Sequence, residues 1–444
     1  FDVSASGKPC MVVHPASSFP TLQVQRCAIV SDETDARLQE CAKQSFDLRA
    51  GPLVRMHHYT LRDDADCDVI MFVTHHIVAD GLSSRVLCRD LLAFAAAYAP
   101  GVVSSPLTPP ELPALPWQFA DFALWERQWA ASPEGQAKLD YWRAQLQDVP
   151  PLTLGTDFTR SGGMSFAGGR VPVHLDAPLV ASMRRLAKQL RVSTFTVLMA
   201  GFCVVIARHS RSSLIPVAVP SGGRSAETEN LIGNFVNTLV VATELGDNPT
   251  FRELVPRVSA TLADAMTNDM PLELLIKELK PKRTPGVLPL AQVSLTFQPK
   301  WQETAVSEFL APVDVDPQTS HFDVELQLWE GEATIDGHVN FRTDLFRADT
   351  VAGMMGHLTQ LLTAVGSDGE IDTPIRAVRL TTAAEESALV KLWNPHATPV
   401  RSLAAARNGT GIEDPLNLLH NRVLQQCRRR PHDVALTFQG TQLT

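Results

Sequence analysis

The sequence predicts a mixed α/β (α+β) fold, with strands and covering helices in both halves of the chain. Residues 68–74 form an almost continuous apolar run, which is typical of a strand, and a helical pattern follows over 82–99. Helical periodicity and strand-like runs also alternate after residue 170. A chain of 444 residues that is 45% hydrophobic and 20% charged has the composition of a globular protein with a large core.

The elements of the first half follow from periodicity and turn signals. We predict, in chain order, a helix over 32–45 capped by Ser31 or Asp32, strands over 52–61 and 68–74, a helix over 82–99, a proline-rich loop over 100–116 and a helix-rich stretch over 117–146. The run Val69–Val73 is apolar at successive positions, so we expect the second strand to be covered on both faces.

The second half repeats the mixture without a short tandem repeat, which favours two related lobes. We predict helices over 179–190, 195–209, 251–266 and 349–365, and strands over 214–220, 236–245, 293–298, 324–329 and 334–341. The most apolar stretch, 195–207, is shorter than the roughly 20 residues that span a bilayer. It therefore predicts a buried helix and no membrane association.

Proline and glycine pairs near residues 150 and 162 mark a lobe boundary, and the composition changes again after Trp393. We divide the chain into an N-terminal lobe (1–155), a C-terminal lobe (156–394), a linker (395–418) and the beginning of another domain (419–444). The chain opens at Phe1 and stops at Thr444 inside a strand-like run, and the sequence shows no signal peptide, so we expect both ends to be cut.

Charge and cysteine usage exclude several classes of function. The chain has 39 Lys+Arg against 48 Asp+Glu, a net charge of −9, which argues against general nucleic-acid binding. The 7 cysteines are odd in number and irregularly spaced, without a C-x-x-C pair. This pattern disfavours a disulfide framework and a structural zinc site, and it favours a reducing, cytoplasmic location.

The most informative cluster is His75-His76 followed by Asp80-Gly81, at the end of the apolar strand. Adjacent side chains in extended backbone point to opposite faces, so only one histidine can enter a given cavity. A histidine at a buried strand end can be held rigidly with a desolvated, neutral ring, which suits a general base. Asp80 can cap the next helix or pair with a buried cation, and Gly81 permits a tight turn or a close ligand.

These few residues alone leave a plainer interpretation open. The histidine pair can be a chance doublet, with Asp80 acting only as a helix cap. A metal site is disfavoured because adjacent histidines cannot easily bind one ion and no third ligand lies at helical spacing.

The string His75-His76-Ile77-Val78-Ala79-Asp80-Gly81 resembles the HHxxxDG signature of condensation domains of nonribosomal peptide synthetases. Other segments resemble motifs of this family in the same order: Phe46-Asp47-Leu48 with Gly51-Pro52-Leu53, Phe119 to Trp125, Gly222-Gly223-Arg224, Ile232 to Thr238, Asn268 to Glu273, Pro289-Leu290 with Gln292-Val293, and Thr343 to Phe346. The tail from Asp433 to Phe438 resembles the opening of an adenylation domain. The resemblance covers nearly the whole chain.

The resemblance implies two chloramphenicol-acetyltransferase-like lobes arranged as a V-shaped pseudo-dimer, with the signature loop at the floor of the cleft. The first strand and helix of the family's N-terminal lobe would precede Phe1 and are missing. The resemblance also implies amide bond formation between an upstream carrier-bound acyl or peptidyl thioester and the amine of a downstream aminoacyl thioester. The phosphopantetheine arms of the carrier domains are then substrates, and no cofactor is bound by the domain itself.

Residue roles follow from the matched positions. His76 corresponds to the family's catalytic histidine, as a base for the amine or as a group that holds it, and His75 supports it. Asp80 is interpreted as structural, paired with Arg224 from the second lobe, and Gly81 as an N–H donor toward the thioester. Asn237 and Ser294 are candidate cleft-lining residues, although a satisfied turn amide and a solvent-facing hydroxyl are the simpler interpretations.

The neighbouring functions of this superfamily stay as alternatives. An epimerisation domain shares HHxxxDG but is not usually followed by an adenylation start, and a cyclisation domain carries DxxxxD instead. The linker and tail count against a stand-alone acyltransferase, and intact His76, Asp80 and Gly81 count against a non-catalytic carrier-docking domain. Lys282 to Pro285, where the family often has Arg-Asp, and Val240-Val241, where it often has Arg, leave the subtype open.

Overall fold

The computed structural model describes residues 1–4, 7, 9–14, 24–64, 67–98, 109–147, 149–300, 313–367, 369–393, 428–430, 436–438 and 441–443. The chain forms two compact units, Phe1–Leu380 and Thr381–Thr444.

The N-terminal part of the first unit carries a small mixed sheet and four helices among its described residues. Its elements are β1 (Asp2–Val3), β2 (Pro9–Cys10), β3 (Val24–Ile29), α1 (Thr34–Lys43), β4 (Val54–Leu61), β5 (Asp68–Thr74), α2 (Gly81–Ala97), α3 (Phe119–Ala130) and α4 (Pro133–Leu146). Strands β3, β4 and β5 form a three-stranded sheet in that order, with β3 parallel and β5 antiparallel to the central β4. The predicted strands and helices of this part are confirmed to within a few residues at their ends.

Two expectations for this part are wrong. Strand β5 is not covered on both faces, since Ile70 is 47% exposed. The physical reason is that α1 contacts one face of the sheet, where Val69 and Met71 pack, and Ile70 lies on the other face. Helix α1 begins without a side-chain cap, because a short 3₁₀ turn, Ser31–Glu33, leads into it and the Ser31 N–H donates to the Asp63 carboxylate at 2.9 Å.

The C-terminal part of the first unit is built on a larger mixed sheet. Its elements are β6 (Gly168–Leu175), α5 (Ala177–Leu190), α6 (Thr194–Ser210), β7 (Leu214–Ser221), β8 (Asn237–Glu244), α7 (Phe251–Thr267), α8 (Leu272–Leu279), β9 (Val293–Pro299), β10 (Val324–Glu330), β11 (Ile335–Arg342) and α9 (Ala348–Gly366). Six strands pair in the order β6-β11-β10-β9-β7-β8 among the described residues. The pairs β10-β9 and β9-β7 are parallel, and the other pairs are antiparallel.

One hydrophobic core joins this sheet to α5, α6, α7 and α9. Three valines that are neighbours across adjacent strands, Val217, Val293 and Val324, are 0% exposed. Burial of each such side chain contributes roughly 1.5–3 kcal/mol before conformational entropy is subtracted. Helix α6 is buried from Thr196 to Ile206, as its apolar composition predicts. In this part of the unit the sequence patterns missed β6, which Arg170 and His174 interrupt, and the short α8, and in the N-terminal part they missed β3.

No single described helix is both long and apolar enough to cross a membrane. Helices α5 and α6 together reach the required length and composition, but they are bent by 104° at their junction.

The second unit contains α10 (Ala383–Trp393) and an antiparallel pair, β12 (Leu436–Phe438) with β13 (Thr441–Leu443). The predicted linker, 395–418, lies outside the described residues, and so does most of the predicted beginning of another domain, 419–444. The division of the chain at residues 155, 394 and 418 stays a prediction.

A small polar cluster is buried in the core of the N-terminal sheet. His57 is 3% exposed, and its Nε2 atom has no hydrogen-bond partner among the described residues. Its Nδ1 atom lies 3.8 Å from the Cys41 sulfur, which in turn lies 3.0 Å from the Tyr59 hydroxyl. Burial, assisted by the charge of Arg55, lowers the pKa of His57. The folded protein therefore holds this imidazole neutral at a pH where an exposed histidine is already protonated.

We expect the free energy of unfolding to fall as the pH drops below about 6.5, because the unfolded chain then binds a proton that folded His57 refuses. The slope from one such group is at most about 1.4 kcal/mol per pH unit. His57→Leu should remove this part of the acid-side loss, as measured by urea unfolding between pH 7.5 and 5. His58→Leu, one residue along the same strand, is the matched control. An unchanged slope in His57→Leu would contradict the assignment.

Candidate active site

The histidine pair lies at the point where β5 ends. The His75 N–H still donates to the Leu53 carbonyl at 3.0 Å, and the Val78 N–H donates to the His75 carbonyl at 3.0 Å. The chain therefore leaves the sheet at His75 and makes a β-turn that places His76 at its second position. The expectation that both histidines lie in extended backbone is wrong for His76, because the turn begins one residue earlier than the apolar pattern suggests.

His75 is fixed by contacts on both sides of its ring. Its Nδ1 accepts a hydrogen bond from the Ile77 N–H at 3.0 Å. The centre of its ring lies 6.0 Å from the centre of the Phe46 ring, and the two ring planes are nearly perpendicular. Arg55 in turn lies over the Phe46 ring at 4.0 Å. Since Nδ1 is an acceptor, the proton of a neutral His75 ring is on Nε2. These contacts fix the turn from which His76 projects.

His76 is exposed, and no hydrogen bond joins its imidazole to another of the described residues. The sequence predicts a desolvated ring at this position, and that prediction is wrong. The reason is again the turn, which takes His76 out of the sheet and away from the packed side chains of β4 and β5. The side chain is consequently exposed to a molecule that approaches from outside.

Asp80 both caps helix α2 and pairs with a buried cation, the two roles that the sequence allows. Its Oδ1 accepts from the Ser83 N–H at 2.7 Å, which caps helix α2, and from Arg224 Nη2 at 2.8 Å. Its Oδ2 accepts from the Phe235 N–H at 3.0 Å. The predicted contact between Asp80 and Arg224 is therefore present, and it joins the two sequence halves. Both side chains are nearly inaccessible, with 2% and 7% of their surface exposed.

Ser83 and Arg224 complete the network. The Ser83 hydroxyl contacts the Asp80 carboxylate at 2.8 Å and Arg224 Nη2 at 2.9 Å, and it lies 2.9 Å from the Gly233 carbonyl. Arg224 Nη1 donates to the carbonyls of Thr228 and Leu231, at 2.9 and 2.7 Å. Sequence reasoning missed Ser83, although its position three residues after the cap is a signal for such a contact.

The electrostatics of Asp80 favour its ionised form. Burial alone would raise the pKa of this carboxyl, but the hydrogen bonds from Ser83, Arg224 and Phe235 outweigh burial and hold the pKa below its usual value. Stabilisation from Asp80 is therefore present above about pH 3.8 and is lost as the pH falls below that value.

Two glycines allow the second half to supply these partners. Gly223 has φ +59°, and a Cβ at this position would lie 2.1 Å from the Phe235 carbonyl oxygen. A Cβ on Gly233 would lie 2.4 Å from the Phe119 ring. The backbone at Gly223 turns Arg224 toward Asp80, where its guanidinium also stacks 4.4 Å from the centre of the Phe235 ring.

Gly81 is the first residue of α2, immediately after the Asp80 cap. An added Cβ here would meet no atom within 4 Å, and its φ is outside the left-handed region. Packing and backbone conformation therefore do not require glycine at this position.

Asn237 is a satisfied amide at the start of β8. Its Nδ2 donates to the Asp269 carboxylate at 2.5 Å and to the Met270 carbonyl at 2.7 Å, while its Oδ1 accepts from the Leu272 N–H at 3.0 Å. The simpler interpretation of Asn237 therefore agrees with its contacts. It fixes the turn that begins α8.

Ser294 differs from its simpler interpretation. It is 3% exposed rather than solvent-facing, and its hydroxyl has no hydrogen-bond partner among the described residues. It lies in β9, in register with Glu325 and Ala218, on the face opposite Val293 and the helical core. The short polar pattern could not indicate this burial.

A protein-family model described as Condensation domain matches residues 1–390, and the chain belongs to that family. Chondramide synthase from Chondromyces crocatus is 33% identical over 99% of this chain. The alignment spans 11% of the length of that relative.

Solved structures support the same fold. A four-domain nonribosomal peptide synthetase bound to AMP and glycine has a TM-score of 0.73 at 20% identity, covering 94% of this chain and 31% of the solved one. The X-domain from teicoplanin biosynthesis has a TM-score of 0.74 at 24% identity, covering 83% of each chain. The predicted chloramphenicol-acetyltransferase-like fold is confirmed by the mixed α/β structure and these similarities.

We expect Asp80→Asn to lower the free energy of unfolding by about 3–5 kcal/mol, because Arg224 would stay buried without its counter-charge. Urea unfolding at pH 7 measures the loss. The double variant Asp80→Asn with Arg224→Met should recover part of it, since both charges are then absent. Asp247→Asn, in an exposed ion pair with Arg257, is the matched control and should change stability little. Equal losses at both aspartates would contradict the structural role of Asp80.

Proposed function

We propose that this condensation domain forms an amide bond between an acyl or peptidyl thioester on an upstream carrier and the amine of an aminoacyl thioester on a downstream carrier. The observation that supports this most strongly is the arrangement of accessible His76 between anchored His75 and the Asp80–Arg224 pair. It combines an available imidazole with a rigid backbone, as a reaction between two tethered substrates requires.

The chemistry requires a neutral nucleophile. An α-amine has a reference pKa near 8 and is largely protonated at neutral pH. In the proposed reaction the amine nitrogen attacks the thioester carbonyl, a C–N bond forms and the C–S bond breaks. The proton lost from nitrogen passes to His76 or to water, and the leaving thiolate takes a proton to become a thiol.

His76 is proposed to contact the amine, either as the base or through a hydrogen bond that positions it. General-base assistance is worth about 10²–10⁴-fold. Because the ring is exposed rather than desolvated, and because a thioester is already activated, positioning of the amine is the larger proposed contribution. The N–H of Gly81, at the start of α2, is the proposed donor toward the thioester oxygen.

The proposed partners follow from this chemistry. They are the upstream and downstream carrier domains, whose phosphopantetheine arms enter as substrates, and an adjoining adenylation domain that begins in the C-terminal tail. A cytoplasmic location belongs to the same proposal. The six described cysteines, all free thiols, support it.

Two other functions remain distinguishable by their products. An epimerisation domain would invert one stereocentre of a carrier-bound residue and would free no carrier thiol. A docking domain would produce neither an inverted residue nor an amide. We favour amide formation because His76, Asp80 and Gly81 are all present and because the tail resembles an adenylation start.

We expect His76→Ala, in a full module with loaded carriers, to reduce dipeptidyl product by at least about 100-fold. Intact-protein mass spectrometry of both carriers measures product and loading in one sample, and loading should not change. Arg191→Gln, at an exposed helix end, is the control for handling and folding. Undiminished product from His76→Ala would refute the assignment. A changed D/L ratio without dipeptide in the unmodified module would favour epimerisation.

The conservative variant His76→Gln separates the two roles of His76. If His76 is the base, His76→Gln should lose as much rate as His76→Ala. If it positions the amine, His76→Gln should retain part of the rate that His76→Ala loses.

We expect Gly81→Ala to lower turnover at least about tenfold while stability stays within roughly 0.5 kcal/mol, since the added methyl meets only open space in the protein but would meet a substrate. Turnover and the urea midpoint are measured on the same preparation. Full activity would place the thioester elsewhere.

A further inference from the structure

A cavity of about 370 Å³ lies away from the histidine turn, where the end of α6, the end of β8 and residues 375–376 meet. Its apolar wall is formed by Val204, Leu245 and Ile375, all of them at least 97% buried. Its remaining wall includes three arginines, Arg208, Arg211 and Arg376. We refer to it as the three-arginine cavity.

The charges around this cavity are unbalanced. No acidic residue is among those that line it. Two carboxylates of the neighbouring loops are engaged by other arginines. Asp247 makes two 2.9 Å hydrogen bonds with Arg257, and Asp372 accepts from Arg252 at 2.6 and 3.1 Å. The three cavity arginines therefore share a site without a carboxylate partner from its lining.

The three arginines have different local roles. Arg208 Nη1 donates to the carbonyls of Ile375 and Arg376, at 3.3 and 2.9 Å, and so ties this segment to the end of α6. The guanidinium groups of Arg211 and Arg376 make no hydrogen bond or ion pair with the described residues. A cation at a helix carboxyl end is favourable, which accounts for Arg208 and Arg211. It does not account for Arg376, which lies outside any helix.

We propose that the three-arginine cavity binds a small organic anion, a carboxylate or phosphate group carried on a short apolar body. Planar guanidinium groups match the oxygens of both anions and bind them through paired hydrogen bonds. The volume is that of a small-molecule site, and the apolar wall suits a short hydrocarbon portion. The site is independent of amide formation, since no residue of the histidine turn contributes to it.

The test uses the full 444-residue chain and three probes that share one hydrocarbon chain: hexanoate, hexyl phosphate and hexan-1-ol. Isothermal titration calorimetry at constant pH and ionic strength measures the affinity. At least one of the two anions should bind, and the neutral alcohol should bind at least about fivefold more weakly, because hydrogen bonds to charged groups are the stronger ones. The preferred anion identifies the head group. Inorganic phosphate should bind more weakly than hexyl phosphate.

Arg211→Gln and Arg376→Gln should each weaken anion binding about fivefold or more, with the urea unfolding midpoint unchanged because both side chains are exposed. Arg191→Gln is a matched control, since Arg191 also ends a helix with positive φ (56°, against 55° for Arg211) but does not line the cavity. Equal binding of alcohol and anions, or the same weakening in all three variants, overturns the proposal.

Discussion

The buried ion pair between Asp80 and Arg224 is the interaction on which the rest of the candidate site depends. It joins residues 144 positions apart in sequence. It also caps α2, holds the Phe235 backbone and closes the network around Ser83. A carboxylate with this little exposure is tolerated because Ser83, Arg224 and Phe235 all donate hydrogen bonds to it. The position of the helix that begins at Gly81 is therefore set by the second half of the chain.

The two histidines have different roles: His75 supports the turn, and His76 is available to contact a substrate. His75 ends the strand and is locked by Ile77 and Phe46, whereas His76 is carried outward by the turn. The support is rigid and the exposed ring is accessible. An accessible imidazole on a rigid turn is well suited to holding an incoming amine. This is why positioning stands first in the proposed mechanism.

The arginines of the second half have two kinds of surroundings. Arg224 and Arg342 are buried with carboxylate partners, Asp80 and Asp344 respectively. Arg211 and Arg376 are exposed beside an apolar wall and lack such partners among the described residues. Buried cations without partners would destabilise the fold, so their pairing is a requirement of folding. An exposed cluster carries no such requirement, so these two guanidinium groups stay available to the proposed anion.

Local pattern was sufficient for the mixed α/β class and most helix and strand positions, and the family resemblance supplied the partnership of Asp80 with Arg224. Apolar composition indicates which side chains must leave water, and α6 follows it closely. The sequence could not indicate that β5 would lie at the border of the described sheet, that Ser294 would be buried, or that His76 would be exposed. Each of these depends on neighbours distant in the chain or on the residue at which a strand gives way to a turn. Burial is a property of the assembled surface, and only the tertiary structure decided it.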